Sequence, residues 1–177
     1  MLRKATTAGS DAIAKSLWNV WSKFKLRQIP SPIQSYSSIE ILKMEIEEKI
    51  NHWLVYELPN SELLGFFSFN SIGEDKTFKR WRFPKQSVRI ENFSCLQSGE
   101  ALLNQFELLI KEMSQQSILL VIPVSLREPY WAGLKAGFRQ LGESSLIVGG
   151  FIWLYFDREN LHEEIQAKLQ KAKVVGK

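Results

Sequence analysis

The segment NFSCLQSGEALLNQFELLIKEM, Asn92 to Met113, carries an extended run into a helix through one small polar turn that contains Gly99. Such a turn can hold a phosphate. The first amides of a helix lack intrahelical acceptors, and the positive end of the helix dipole favours an anion there. The turn has one glycine, and the nearest lysine, Lys111, lies too far along the helix to reach it. A plain strand-to-helix turn with a helix-starting glycine fits the same residues, so the choice needs the rest of the chain.

Other reactive side chains are sparse. Cys95 is the single cysteine, and His52 and His162 stand far apart. Neither a disulfide framework nor a recurrent metal-ligand spacing exists, so no metal is expected. No histidine neighbours Cys95 in sequence, and a buried, inert thiol is the expectation for it. From Lys76 to Ile90 the chain bears Lys76, Lys79, Arg80, Arg82, Lys85 and Arg89 without an acidic residue, interleaved with Phe78, Trp81 and Phe83. Arginines beside aromatic rings can track a phosphate backbone and stack on bases. A solvated, twisted hairpin fits the same residues.

The bulk properties set the frame. A chain of 177 residues with 45% hydrophobic residues can bury one core without covalent staples, so a single soluble domain is expected. The N-terminus lacks the apolar stretch of a secretory signal, and the longest apolar run, Leu146–Phe156, is well short of the roughly 20 residues that span a bilayer. A cytoplasmic protein without membrane contact follows as the expectation. The net charge of +4 suits nucleic acid, an anionic cofactor or neither.

The elements that must position these residues follow from periodicity. LRKAT at 2–6 reads as a strand, and Ser10 or Asp11 can cap a helix whose apolar face is Ile13, Leu17, Val20, Trp21 and Phe24. Pro30 and Pro32 stop it. Ser37 and Glu40 form a capping box before a second helix with Ile39, Leu42, Ile46 and Ile50 on one face. HWLVYEL and ELLGFFSF flank Pro59-Asn60-Ser61 as a hairpin, and SVRIENFSC reads as a further strand. Leu102, Leu103, Phe106, Leu109, Ile110 and Met113 then mark a strongly amphipathic helix.

SILLVIPV is a continuous apolar run, as expected of a strand buried on both faces, and strand–helix–strand implies a right-handed crossover between parallel strands. Ser125 and Glu128 form another capping box at the start of REPYWAGLKAGF, which Gly137 ends. Two strands lie before and after Gly149-Gly150, and an amphipathic helix with Leu161, Ile165 and Leu169 follows Asp157. The order β, α, α, β, β, β, α, β, α, β, β with a helical tail describes an α+β chain with a mixed sheet.

That order resembles the GNAT superfamily of acetyl-CoA-dependent N-acetyltransferases over nearly all of residues 2–157. LRKATTAGSDAIAKSLWNVW looks like the family's opening strand and first helix, and GLKAGFRQLGE like its closing helix and the Gly-Phe before its sixth strand. Gly99-Glu100-Ala101 stands where the family has its cofactor turn, [RQ]-x-x-G-x-[GA]. Gln97 precedes the glycine by two residues rather than three, so either the loop is one residue short or Leu96 fills the motif position with backbone alone.

The resemblance implies a mostly antiparallel sheet of about seven strands with splayed fourth and fifth strands, a domain over 1–157 and a helical tail over 158–177. It implies acetyl-CoA as acyl donor, held by Phe93, Cys95, Gln97, Ser98, Gly99, Glu100 and Ala101, and a small-molecule or protein amine as acceptor. Glu91 becomes the candidate base, because an ordinary amine must shed a proton before it attacks a thioester. A solvent-facing glutamate is the other reading of that position. The family's tyrosine acid falls on Gly133 here, leaving Tyr130, one turn earlier, as its candidate substitute; a tyrosine packed near the helix start fits equally. A homodimer is compatible with this class. Two alternatives stand beside the enzyme: a GNAT-fold protein that binds coenzyme A or a partner without efficient turnover, and a basic nucleic-acid-binding module using Lys76, Lys79, Arg80, Arg82 and Lys85.

Overall fold

The computed structural model describes residues 1–26, 38–60, 62–72, 83–84, 86–95, 99–113, 117–141 and 150–157, with backbone alone at 21, 23–26 and 95. The elements run in the expected order: β1 (Leu2–Lys4), α1 (Ser10–Leu26), α2 (Ile39–Glu48), β2 (Trp53–Glu57), β3 (Leu63–Ser71), β4 (Ser87–Cys95), α3 (Glu100–Glu112), β5 (Ser117–Pro123), α4 (Arg127–Lys135), β6 (Arg139–Gln140) and β7 (Phe151–Phe156). The expected strand just before Gly149, the 158–177 helix and the residues from Lys76 to Arg82 lie outside the described residues.

The seven strands form one sheet in the order β1-β2-β3-β4-β5-β7-β6, antiparallel throughout except for the parallel pair β4–β5. Alternation along the strands sorts side chains to two faces. Phe66, Val55 and Trp53 meet Ile13, Leu17, Leu42 and Ile46 of α1 and α2 on one face. Leu54, Phe67, Ile118, Leu120 and Leu154 meet Leu102, Phe106 and Leu109 of α3 on the other. Phe106 is fully buried, with ring centroids 5.9 Å from Phe67 and 6.1 Å from Phe93.

Helix ends depart from the sequence reading in three places. Ser38, not Ser37, caps α2: its Oγ accepts from the Ile41 amide at 3.3 Å, which places Glu40 in the second helical position. The Ser10 hydroxyl is a donor rather than a capping acceptor, lying 2.8 Å from the Thr7 carbonyl oxygen and 2.6 Å from Glu47 Oε1. Leu126, with no side-chain cap, precedes α4 in place of the Ser125–Glu128 box. Gly137 ends α4 as expected. Its φ of 103° lets its own amide reach Leu134 O and the Phe138 amide reach Gly133 O, the paired closure of a Schellman turn.

Candidate functional site

β4 holds the feature on which the site depends. Its register against β3 passes from Ser68↔Asn92 to Phe69↔Ile90, so Glu91 is an extra residue with no partner of its own. A bulge bends the strand and shifts the side-chain phase by one. Val88, Ile90 and Phe93 accordingly all enter the α3-side core, which strict alternation would forbid. Beyond the bulge β4 leaves its parallel neighbour. Pairing with β5 runs from Ser87↔Ser117 to Ile90↔Leu120 and stops, although β4 continues to Cys95 and β5 to Pro123. The fourth and fifth strands are splayed as expected. β5 meanwhile stays paired to β7 through Pro123↔Phe151, so the opening is confined to its β4 side.

At the far end of β4 the chain turns into α3 through Gly99, whose φ of 64° and ψ of −122° no L-residue adopts without strain. Space is not the constraint, since nothing lies within 4 Å of the position a Cβ would take. The amides at the start of this 13-residue helix have no intrahelical acceptor and no side-chain cap. Gly99, Glu100 and Leu103 form one wall of a groove of about 620 Å³, and Arg127, Trp131 and Lys135 of α4 form the other. That volume lies within the usual range for cofactor sites. Trp131 is 57% exposed among the described residues, large for an indole. Arg127 and Lys135 place two cations along the groove, against the carboxylates of Glu100 and Glu128.

On the opposite face, under α2, Glu91 and Asn92 help to line a smaller cavity with Glu45, Lys49 and His52. Its free space of about 20 Å³ admits one water-sized group. The Arg89 guanidinium donates to Glu91 Oε1 at 2.7 Å, and His52 Nδ1 lies 3.1 Å from Asn70 Oδ1. Asn92 is only 3% exposed; its Nδ2 and backbone amide both donate to Ser68 Oγ, at 2.7 and 3.1 Å, while its Oδ1 has no partner.

The site residues read from the sequence are thus dispersed. Glu91 sits at the bulge facing the α2-side cavity, and Gly99 and Glu100 line the α3-side groove, with Ala101 following in the first turn. Phe93 is 6% exposed beneath α3, which leaves its backbone rather than its ring to meet a ligand. Cys95 closes β4 opposite Gly65. Gln97 and Ser98 lie outside the described residues, as do Lys76, Lys79, Arg80, Arg82 and Lys85.

Tyr130 packs against the α3-side core, and its hydroxyl donates to Gln140 of β6 at 2.9 Å. Glu91 and Tyr130 are therefore on opposite faces of the sheet. At Gly133 a Cβ would stand 2.7 Å from Leu154 Cδ1, so α4 approaches the sheet too closely there for a tyrosine without displacing Leu154. Sequence reasoning missed Arg127, Trp131 and Lys135. Their signal was spacing, since residues four apart along one helix share a face.

No family model and no curated protein matches the sequence. Solved structures do. An aminoglycoside acetyltransferase in complex with coenzyme A superposes with a TM-score of 0.65 at 12% identity, over 92% of this chain and 97% of that one. A GNAT-family acetyltransferase from Listeria monocytogenes gives 0.60 at 17% identity, over 88% and 93%. A chimera of the Vibrio cholerae spermidine N-acetyltransferase gives 0.60 at 15% identity, over 93% and 96%. The chain has the fold of the GNAT N-acetyltransferases. Among the described residues, no helix is long and apolar enough to cross a membrane, and no three His, Cys, Asp or Glu side chains converge as metal ligands.

Proposed function

We propose that the protein is a cytoplasmic acetyl-CoA-dependent N-acetyltransferase in which a bound amine attacks the thioester directly within a ternary complex. The observation that carries this reading is the loss of β4–β5 pairing after Ile90↔Leu120, followed along the chain by a helix N-terminus with no side-chain cap among the described residues. Backbone groups of residues 91–93 and 121–122 on the edges of this gap, which a continuous sheet would pair, can bond an extended amide chain such as pantetheine. The amides from Gly99 to Ala101, with Gln97 and Ser98, take the pyrophosphate, and Arg127 and Lys135 balance the remaining phosphate charge. In the reaction the amine nitrogen bonds to the thioester carbon and the carbon–sulfur bond breaks. The amine's proton passes to Glu91, directly or through water, and the thiolate takes one from an acid for which Tyr130 is the candidate.

Two contacts favour one competing reading, a coenzyme-A-binding protein without efficient turnover. Arg89 engages the Glu91 carboxylate, and the Tyr130 hydroxyl is engaged by Gln140. Thermal-shift titration with acetyl-CoA, followed by a coenzyme A release assay with primary amines, separates the two. A ligand at 100 times its Kd adds about 2.7 kcal/mol to folding stability, a rise in Tm of roughly 5–10 °C for a chain of this size. No shift at saturating acetyl-CoA would overturn both readings; a shift with no release would leave the binding protein.

A further inference from the structure

Gln105 is the polar side chain that α3 turns inward, fully buried in line with Leu102, Phe106 and Leu109. Its Nε2 donates to the backbone carbonyl oxygen of Ser94 on β4 at 2.8 Å, while its Oε1 has no partner among the described residues. An amide oxygen left unpaired in the interior costs stability, and an apolar side chain on this face would avoid that cost. The neighbouring strand makes room for the contact. Gly65 of β3 lies opposite Cys95, and a Cβ there would stand 2.5 Å from both the Gln105 amide and Ser94 O. A glycine inside a strand commonly marks such a close approach. One strand thus forgoes a side chain, and one helix buries a half-satisfied amide, for a single bond between α3 and the end of β4.

That bond joins the two parts of the proposed cofactor site. Ser94 directly follows residues 91–93 on the edge of the gap, and Gln105 lies about one turn beyond Ala101 on the helix whose first amides are assigned the pyrophosphate. Coenzyme A is one covalent chain, so its pantetheine and its pyrophosphate bind together only where β4 and the start of α3 stand at a matching separation. We propose that Gln105 is a positioning residue that fixes this separation, tying the β4 backbone to α3 through Ser94 O. Being wholly inaccessible, it acts through the backbone rather than on the ligand. The inference rests on the acetyltransferase reading, and its signature is a loss of affinity for the whole coenzyme that neither of its ends shares.

The test compares coenzyme A with ADP and with pantetheine, which carry its two ends, each titrated alone by NMR into the wild type and into Gln105→Met. That substitution keeps the length of the side chain and removes its donor. Gln105→Met is expected to weaken coenzyme A about tenfold while changing ADP and pantetheine by less than about twofold. Gly65→Ala, which crowds the same amide without removing it, should reproduce the pattern, and it carries the test if Gln105→Met does not fold. A merely structural role would not spare the separate ends. A matching loss for either end, or no loss for the whole coenzyme, therefore overturns the proposal. Failure of the underlying reading looks different: a wild-type protein that binds neither coenzyme A nor ADP sinks the acetyltransferase assignment itself, and the positioning role with it.

Discussion

Arg89 and Glu91 form an ion pair at 2.7 Å between residues two apart on β4, and Glu91 is also the extra residue of the strand's bulge. Both side chains are about a quarter exposed, at 28% and 27%, so the carboxylate is accessible to a substrate but already engaged. General-base catalysis contributes about 10²–10⁴ in rate, so Glu91→Gln should lower kcat about 100-fold or more while leaving the acetyl-CoA thermal shift intact. For Tyr130, the comparison is with its partner. If the phenol protonates the thiolate, Tyr130→Phe lowers kcat and Gln140→Leu does not; matching effects from the two would identify a packing role.

The groove between α3 and α4 predicts how coenzyme binding depends on charge. Arg127→Ala and Lys135→Ala should each weaken coenzyme A binding by about threefold to tenfold, with the loss shrinking as salt rises, because exposed charges are screened. Trp131 should report the ligand by a change in indole emission that Trp131→Phe removes. Fluorescence titration in 50 mM and 500 mM salt measures both; salt-independent losses would argue against phosphate contacts.

Gly65 gives a prediction about stability. A Cβ at this position would lie 2.5 Å from the Gln105 side-chain amide and 2.5 Å from the Ser94 carbonyl oxygen. Gln105 is fully buried and donates to that same oxygen at 2.8 Å. The backbone of β4 cannot yield as a flexible side chain could, so Gly65→Ala should cost about 1–3 kcal/mol, as overpacking does. Urea denaturation should show a lower midpoint with an unchanged slope.

Acid should act selectively on the start of α2. The Glu40 carboxyl is held below its ordinary value of 4.5 by a backbone amide and by the Ser38 hydroxyl. A group whose folded pKa is lowered stabilises the fold above its unfolded pKa and loses that contribution as pH falls through the folded value. The wild type should therefore exceed Glu40→Gln in Tm at pH 6, with the difference closing below about pH 4.5. A gap that persists at pH 3 would contradict this assignment.

Much of this architecture was legible in the sequence because the hydrophobic periods are strong. SVRIENFSC coincides with β4, Ser87–Cys95, and the amphipathic run after Gly99 with α3. Even the bulge left a mark, since Val88, Ile90 and Phe93 slip phase across Glu91 and Asn92. Helix caps were less legible: Ser37 and Ser38 compete for one role, and the bond that decides between them is a matter of one residue's backbone angles. The pairings Arg89–Glu91 and Tyr130–Gln140 depend on register and rotamer, which no local pattern specifies. The Arg127, Trp131 and Lys135 face was present as a four-residue spacing, but only the arrival of α3 beside it makes that face a groove.

Glu91 has one more consequence, at the level of chain length. Omit that single residue and Val88, Ile90 and Phe93 fall into unbroken alternation, the phase that a continuous β4 would need to run alongside β5 to its end. Deleting Glu91 should therefore extend the β4–β5 pairing beyond Ile90↔Leu120 and narrow the gap, which backbone amide exchange in β4 would report. One inserted residue thus keeps β4 out of phase with an unbroken sheet, beside the gap that the proposed cofactor would occupy.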